Sequence, residues 1–173
     1  MKTKVFPVIV ILSAFALFSC GKFESLPPEP HIEYKSFSVF DTTDILGNSI
    51  KGGRLNLYFE DGDGDLGLEA PFEDAEADTI NFFVTLYRMT DGQLSQAPDN
   101  DPYKTTGFRI PYMERTGRNK ILKGNISVIF FYLFYTEEDT IRYDVYLKDR
   151  AGNISNSVSS SVIPVYHSGV YED

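Results

Sequence analysis

Thr140-Ile141-Arg142-Tyr143-Asp144-Val145-Tyr146-Leu147-Lys148 alternates polar and apolar side chains almost one by one. A strand points successive side chains to opposite faces. This period of two therefore predicts a half-buried β-strand with Ile141, Tyr143, Val145 and Leu147 on its inner face. The same signature recurs on either side. Leu55, Leu57 and Phe59 alternate with Arg54, Asn56 and Tyr58. Ile80, Phe82, Val84 and Leu86 share one face of the next run, and Asp91-Gly92 behind them is a hairpin-turn signal.

Further out, Ile32 to Phe40 reads as a first strand and Gly47 to Gly53 as a turn-rich loop. Phe108 to Tyr112 is a short strand interrupted by Pro111, which places it at an edge. Ile126 to Tyr135 is apolar on both faces, which predicts a central strand or one covered on both sides. A last strand follows the turn Asp149 to Asn153 and runs from about Ile154 to Val165. About seven strands with no amphipathic helix predict an all-β, antiparallel β-sandwich, with a small β-barrel as the alternative.

The N-terminus carries an address. Lys2 and Lys4 precede an apolar run from Val5 to Phe18, which is closed by Ser19-Cys20-Gly21. A membrane-spanning helix needs roughly 20 apolar residues, whereas the core of a signal peptide runs about 7–15. Residues 1–19 thus read as a signal peptide. Cys20 is the only cysteine, so the fold must stand without a disulfide, and thiol-rich zinc sites are excluded. Gly21 to Pro30 holds Pro27, Pro28 and Pro30, and reads as an extended tether of ~3 Å per residue. The domain itself is expected over 31–167, with 168–173 as a C-terminal tail.

Leu17-Phe18-Ser19-Cys20 resembles a bacterial lipobox. That resemblance implies cleavage before Cys20 and acylation of its sulfur and its new amino group. Stable anchoring takes two such signals, and a multiply acylated Cys20 supplies them. Gly21 in place of an acid after the cysteine points to the outer membrane, with the cell surface and the periplasmic face both open. Tyr143 to Ser155, with Asp149-Arg150-Ala151-Gly152-Asn153 at its turn, resembles the last hairpin of immunoglobulin-like and fibronectin-III-like domains. There a tyrosine bonds back to the backbone at the corner, a role that falls on Tyr143. The order of lipobox, Pro-rich tether, acidic loop and closing hairpin resembles uncharacterised Bacteroidota lipoproteins, a likeness of architecture that does not itself assign a function.

Glu60 to Asp78 is the stretch with distinctive chemistry. Asp61-Gly62-Asp63-Gly64-Asp65 is followed by Glu69, Glu73, Asp74, Glu76 and Asp78, with no Lys or Arg among them. Calcium takes six to eight hard oxygen ligands, and carboxylates at alternate loop positions can wrap one ion. The pattern departs from an EF-hand, since Leu66 and Phe72 stand where that loop needs Gly and Glu. If the runs at 54–59 and 80–88 are the second and third sandwich strands, this loop lies at the same end as the turn at 149–153. Asp149 and the Asn153 side chain are then candidates to complete a calcium site begun by Asp61, Asp63 and Asp65. The competing reading is a solvated Asp/Gly turn whose aspartates bond their own backbone.

The full chain carries 25 acids against 16 bases, a net charge of −9. Removal of Lys2 and Lys4 with the signal peptide leaves 25 against 14, or −11. Such a balance argues against nucleic acid, whose phosphates call for a basic patch. No nucleophile elbow, zinc-protease motif, P-loop or dinucleotide fingerprint occurs, and His31 and His167 have no evident catalytic partner. A noncatalytic interaction module that binds a protein or glycan is the leading expectation. A structural subunit of an outer-membrane complex comes second, and a small carboxylate-dependent hydrolase third. Phe83, Tyr87 and Met89 are the candidate aromatic platform on the outer face of their strand.

Overall fold

The computed structural model describes residues 25–69, 80–114 and 120–172. Among them there is no helix, and ten strands follow in order: β1 (His31–Thr43), β2 (Ser49–Asp61), β3 (Phe82–Thr90), β4 (Gln93–Gln96), β5 (Gly107–Phe108), β6 (Leu122–Tyr132), β7 (Thr140–Leu147), β8 (Val158–Ser159), β9 (Ile163–Pro164) and β10 (Gly169–Tyr171). They form two antiparallel sheets, β10-β1-β2-β6 and β4-β3-β7-β8, with β5 also on β3 and β9 also on β7. Neither sheet closes on itself, so the architecture is a sandwich and the barrel is ruled out. With β1, β2 and β6 as A, B and E, and with β3, β7 and β8/β9 as C, F and G, the allocation is A-B-E against C-F-G. That is an immunoglobulin-like pattern with no strand D beside E among the described residues.

The alternation seen in the sequence decides which side chains meet between the sheets. Leu55, Leu57 and Phe59 of β2 face Phe82, Val84 and Leu86 of β3, together with Ile141, Tyr143, Val145 and Leu147 of β7, all buried. At the centre Tyr143 stacks on Phe130, with ring centroids 4.4 Å apart, and lies 5.9 Å from Phe37. Aromatic pairs of this kind contribute about 0.5–1.5 kcal/mol each beyond the area they bury. The Tyr143 hydroxyl lies 3.2 Å from that of Tyr132, also buried. Tyr143 is therefore a core tyrosine paired with another tyrosine, and the backbone corner bond expected of it is not formed.

Three other expectations are corrected. Gly52 and Gly53 lie inside β2, and the β1–β2 turn is confined to residues 44–48, where Asp44 accepts from the Leu46 and Asn48 amides. These glycines are strand residues because rings cover them. A Cβ on Gly53 would sit 2.5 Å from the Phe37 ring, and one on Gly52 would sit 2.5 Å from that of Phe40. The expected final strand over 154–165 is broken into β8 and β9, because Pro164 and the side-chain bonds of Ser155 and Ser160 to β7 interrupt the ladder. The expected tail at 168–173 contains β10, paired with Phe37, Ser38 and Val39 of β1.

β6 departs most from expectation. Val128, Phe130 and Tyr132 are buried, but Ile129 and Phe131 on its other face are exposed, and β6 is the last strand of its sheet. Its doubly apolar pattern belongs to an edge strand. By contrast β1 is tied to β2 through twelve register pairs from His31↔Glu60 to Thr43↔Ser49, with one bulge between Tyr34 and Ser36.

Candidate functional site

The acidic loop begins where β2 ends. Asp61 continues the inward parity of Leu57 and Phe59, which carries its carboxylate into the sandwich, 0% exposed. Its Oδ1 accepts the Gly64 amide at 3.3 Å and its Oδ2 the Leu66 amide at 2.7 Å. Leu66, also fully buried, plugs the loop onto the core. The chain then turns through Gly64 and Gly67, both at positive φ. This folding gathers Asp61, Asp63 and Asp65 so that one carboxylate oxygen from each lies within 4.8 Å of the others.

The loop is stitched to the turn after β7, as the strand order predicted. The Ala151 amide donates to Asp65 Oδ2 at 3.0 Å, and Arg150 donates to the Gly67 carbonyl at 2.7 Å. Asp149 is buried at 3% exposure, and Asn153 occupies both its oxygens through its amide and its Nδ2, each at 2.8 Å. The structure thus gathers three of the five predicted ligands into one cluster. It places Asp149 and Asn153 in the adjoining turn, bonded to each other.

Electrostatics sets the character of this end. Burial pushes the Asp61 carboxyl up to about 6; the hydrogen bond and charge of Asp63 push the same way, and the Leu66 and Gly64 amides oppose them. Burial also raises Asp65, with the charges of Asp149 and Asp63 adding to it. Asp65 Oδ1 is buried and accepts no hydrogen bond. Like charges so close and so dry favour either a proton or a cation among them. Hard oxygens at this spacing suit a divalent ion. Glu73, Asp74, Glu76 and Asp78, like Cys20 and the expected signal peptide over 1–19, lie outside the described residues.

The chain enters the sandwich at this same end. The Leu26 and Pro27 carbonyls pass so close to Gly62 that a Cβ there would lie 2.5 Å from one and 2.1 Å from the other.

The opposite end is apolar. Ile45 and Leu46 at the β1–β2 turn are fully exposed, and Ile129, Phe131, Leu133 and Phe134 follow along and beyond β6. A groove of about 380 Å³ runs between them, lined by Thr43, Asp44, Ile45, Ile50, Phe131 and Leu133. Across Leu133 lies a second groove of about 440 Å³, with Tyr103, Phe134, Tyr135 and Asp139 among its walls. Below it is a clip that sequence reading missed. Arg88 grips Asp101 through Nε at 2.7 Å and Nη2 at 3.0 Å, pairs with Asp139 through Nη1, and stacks 4.7 Å from the Tyr103 ring. Burial works against the Asp101 charge, but the bonds from Arg88 and the Tyr103 amide outweigh it and hold its carboxyl below the usual range. Residues 13 and 51 positions from Arg88 left no local signal of the clip.

The outer face of the second sheet is engaged with itself. Phe83 stacks on Tyr146 at 4.8 Å, and the Arg142 guanidinium covers Tyr87 at 4.6 Å. His31 and His167 are both exposed, at opposite ends of the described chain. Compared with protein-family models, with curated proteins and with solved structures, the chain matches none.

Proposed function

We propose that this chain is a noncatalytic interaction module of the cell envelope, anchored to the outer membrane through lipid on Cys20, that binds a protein partner at its apolar end. One observation carries the reading. Ile45, Leu46, Phe131, Leu133 and Phe134 stand exposed together at the end opposite the tether. Single exposed apolar residues are ordinary, but a contiguous group beside grooves marks a contact surface. A protein is favoured over a glycan because the aromatic rings of the second sheet's outer face are already stacked on one another or under Arg142. The same patch supports the second reading, a permanent structural subunit, in which the contact is never broken.

A calcium ion at Asp61, Asp63 and Asp65 is the accompanying proposal. It is supported by the buried Asp61 carboxylate and the unbonded, buried Asp65 Oδ1. Such an ion would hold the loop in place without touching the partner.

Affinity purification of the tagged full chain from native membranes tests the main reading. A protein recovered with the wild type and lost with Phe131→Asp/Leu133→Asp is the expected result. Recovery of the chain alone, or of the same protein with the variant, overturns it. For the ion, millimolar calcium is expected to raise the melting temperature of the wild type and not of Asp63→Ala; an unchanged wild-type melt overturns that part.

A further inference from the structure

The sheets expose edges of unequal kind. The outer edge of β1 is closed, above by β10 and below by Asn156, whose Nδ2 donates to the Ile32 carbonyl and whose Oδ1 accepts the Ile32 amide, both at 2.8 Å. The β4 edge is four residues long and follows the Asp91-Gly92 turn. The β8/β9 edge is two short pieces ended by Pro164. Shortness, proline and side-chain cover are the usual protections of a strand edge. From Gly124 on, β6 has none of them among the described residues. It runs for eleven residues with no strand beside it among the described residues, and from Gly124 to Tyr135 it holds no charged residue and no proline.

We infer that a second copy of this chain occupies the open edge of β6, antiparallel about a two-fold axis, so that two four-stranded sheets join into one of eight. The inference rests on the reading that the apolar end docks a protein, and it names that protein. The charges at the two ends of β6 select the arrangement. Lys120 lies just before its start, and Glu137 and Glu138 lie beyond its end, all exposed. An antiparallel two-fold brings the basic start of each copy towards the acidic end of the other, whereas a parallel pairing sets like against like. Ile129 and Phe131 of each copy then line one face of the joined ladder. Such a contact is isologous and closes at two copies, which turns an aggregation-prone edge into a defined dimer. The two tethers leave from opposite ends of the joined sheet.

The test places single cysteines at Asn125, Ser127, Ile129 and Phe131 of the full chain in its own membranes, with Ser95→Cys on β4 as the control. These side chains are exposed, so the fold is not at stake. Oxidation is expected to give a disulfide-linked species of twice the chain mass at one or two neighbouring β6 positions, and none in the wild type or at Ser95→Cys. Glu137→Lys/Glu138→Lys should lower the yield by roughly threefold to tenfold, and adding Lys120→Glu should restore part of it. A doubled species at no β6 position, or equally at Ser95→Cys, overturns the second copy. A photo-crosslinker at residue 129 separates the two failures. A product with a different protein removes the second copy and keeps the docking surface, while no product removes both.

Discussion

The two ends of this sandwich are built on opposite principles. At the end where the chain enters the sandwich, charge is drawn inward. Asp61 and Asp149 are buried, the acidic loop is bonded to the 149–153 turn, and Leu66 seals the loop to the core. At the far end, apolar surface is left outward on Ile45, Leu46, Phe131, Leu133 and Phe134, while the Arg88 clip sits below with one cation held between two carboxylates. Burying carboxylates costs stability unless something compensates them, and exposing hydrophobes costs solubility unless something covers them. Each end is thus incomplete in a different way, one wanting positive charge and the other apolar cover.

The largest effect is expected where buried polar groups lose a shared acceptor. Asp61→Ala leaves the Gly64 and Leu66 amides without their bonds and should cost about 2–4 kcal/mol by denaturant titration; a loss below about 1 kcal/mol would show that the loop holds itself. Arg88→Ala at the other end strips two carboxylates of their cation and should cost about 2–3 kcal/mol. A markedly smaller loss would mean that water already screens the clip. Next comes pH. The Asp61 carboxyl is raised to about 6, so its charge opposes folding. That cost is fully present above the folded value and fades as pH falls towards the ordinary carboxylate range. In chelator the melting temperature should be a few degrees higher at pH 5 than at pH 7.5, and calcium should close the gap. Below about pH 4 the lowered acids, among them Asp101, reverse the trend. The smallest effect belongs to the exposed edge. Phe131→Ser should change the stability of the isolated chain by less than ~0.5 kcal/mol; a loss of several kcal/mol would place Phe131 in the fold and not at a contact.

Strands with one buried face were legible because their alternation is local. β2 from Leu55 on, β3 and β7 bury the residues that the period of two selects. Gly52 and Gly53 misled because what makes them strand residues is a ring from β1 lying over each, a contact invisible along the chain. β6 misled for a deeper reason. A run apolar on both faces reports that both faces want cover, and it is silent on whether this chain supplies it. In the site, the gathering of Asp61, Asp63 and Asp65 followed from their spacing, and their closeness to the 149–153 turn followed from strand order. That Asn153 would bond both oxygens of Asp149, and that Arg88 would join residues from three segments, depended on side-chain reach that no local pattern encodes.

The twelve-pair ladder between β1 and β2 also has a mechanical meaning. A pull on the chain at His31 acts along β1, and the rungs to β2 stand across that direction, so they bear the load together. A pull at the other terminus meets only the three pairs of β10. The sandwich therefore resists tension from its N-terminal side as a shear joint and yields first at its C-terminal strand.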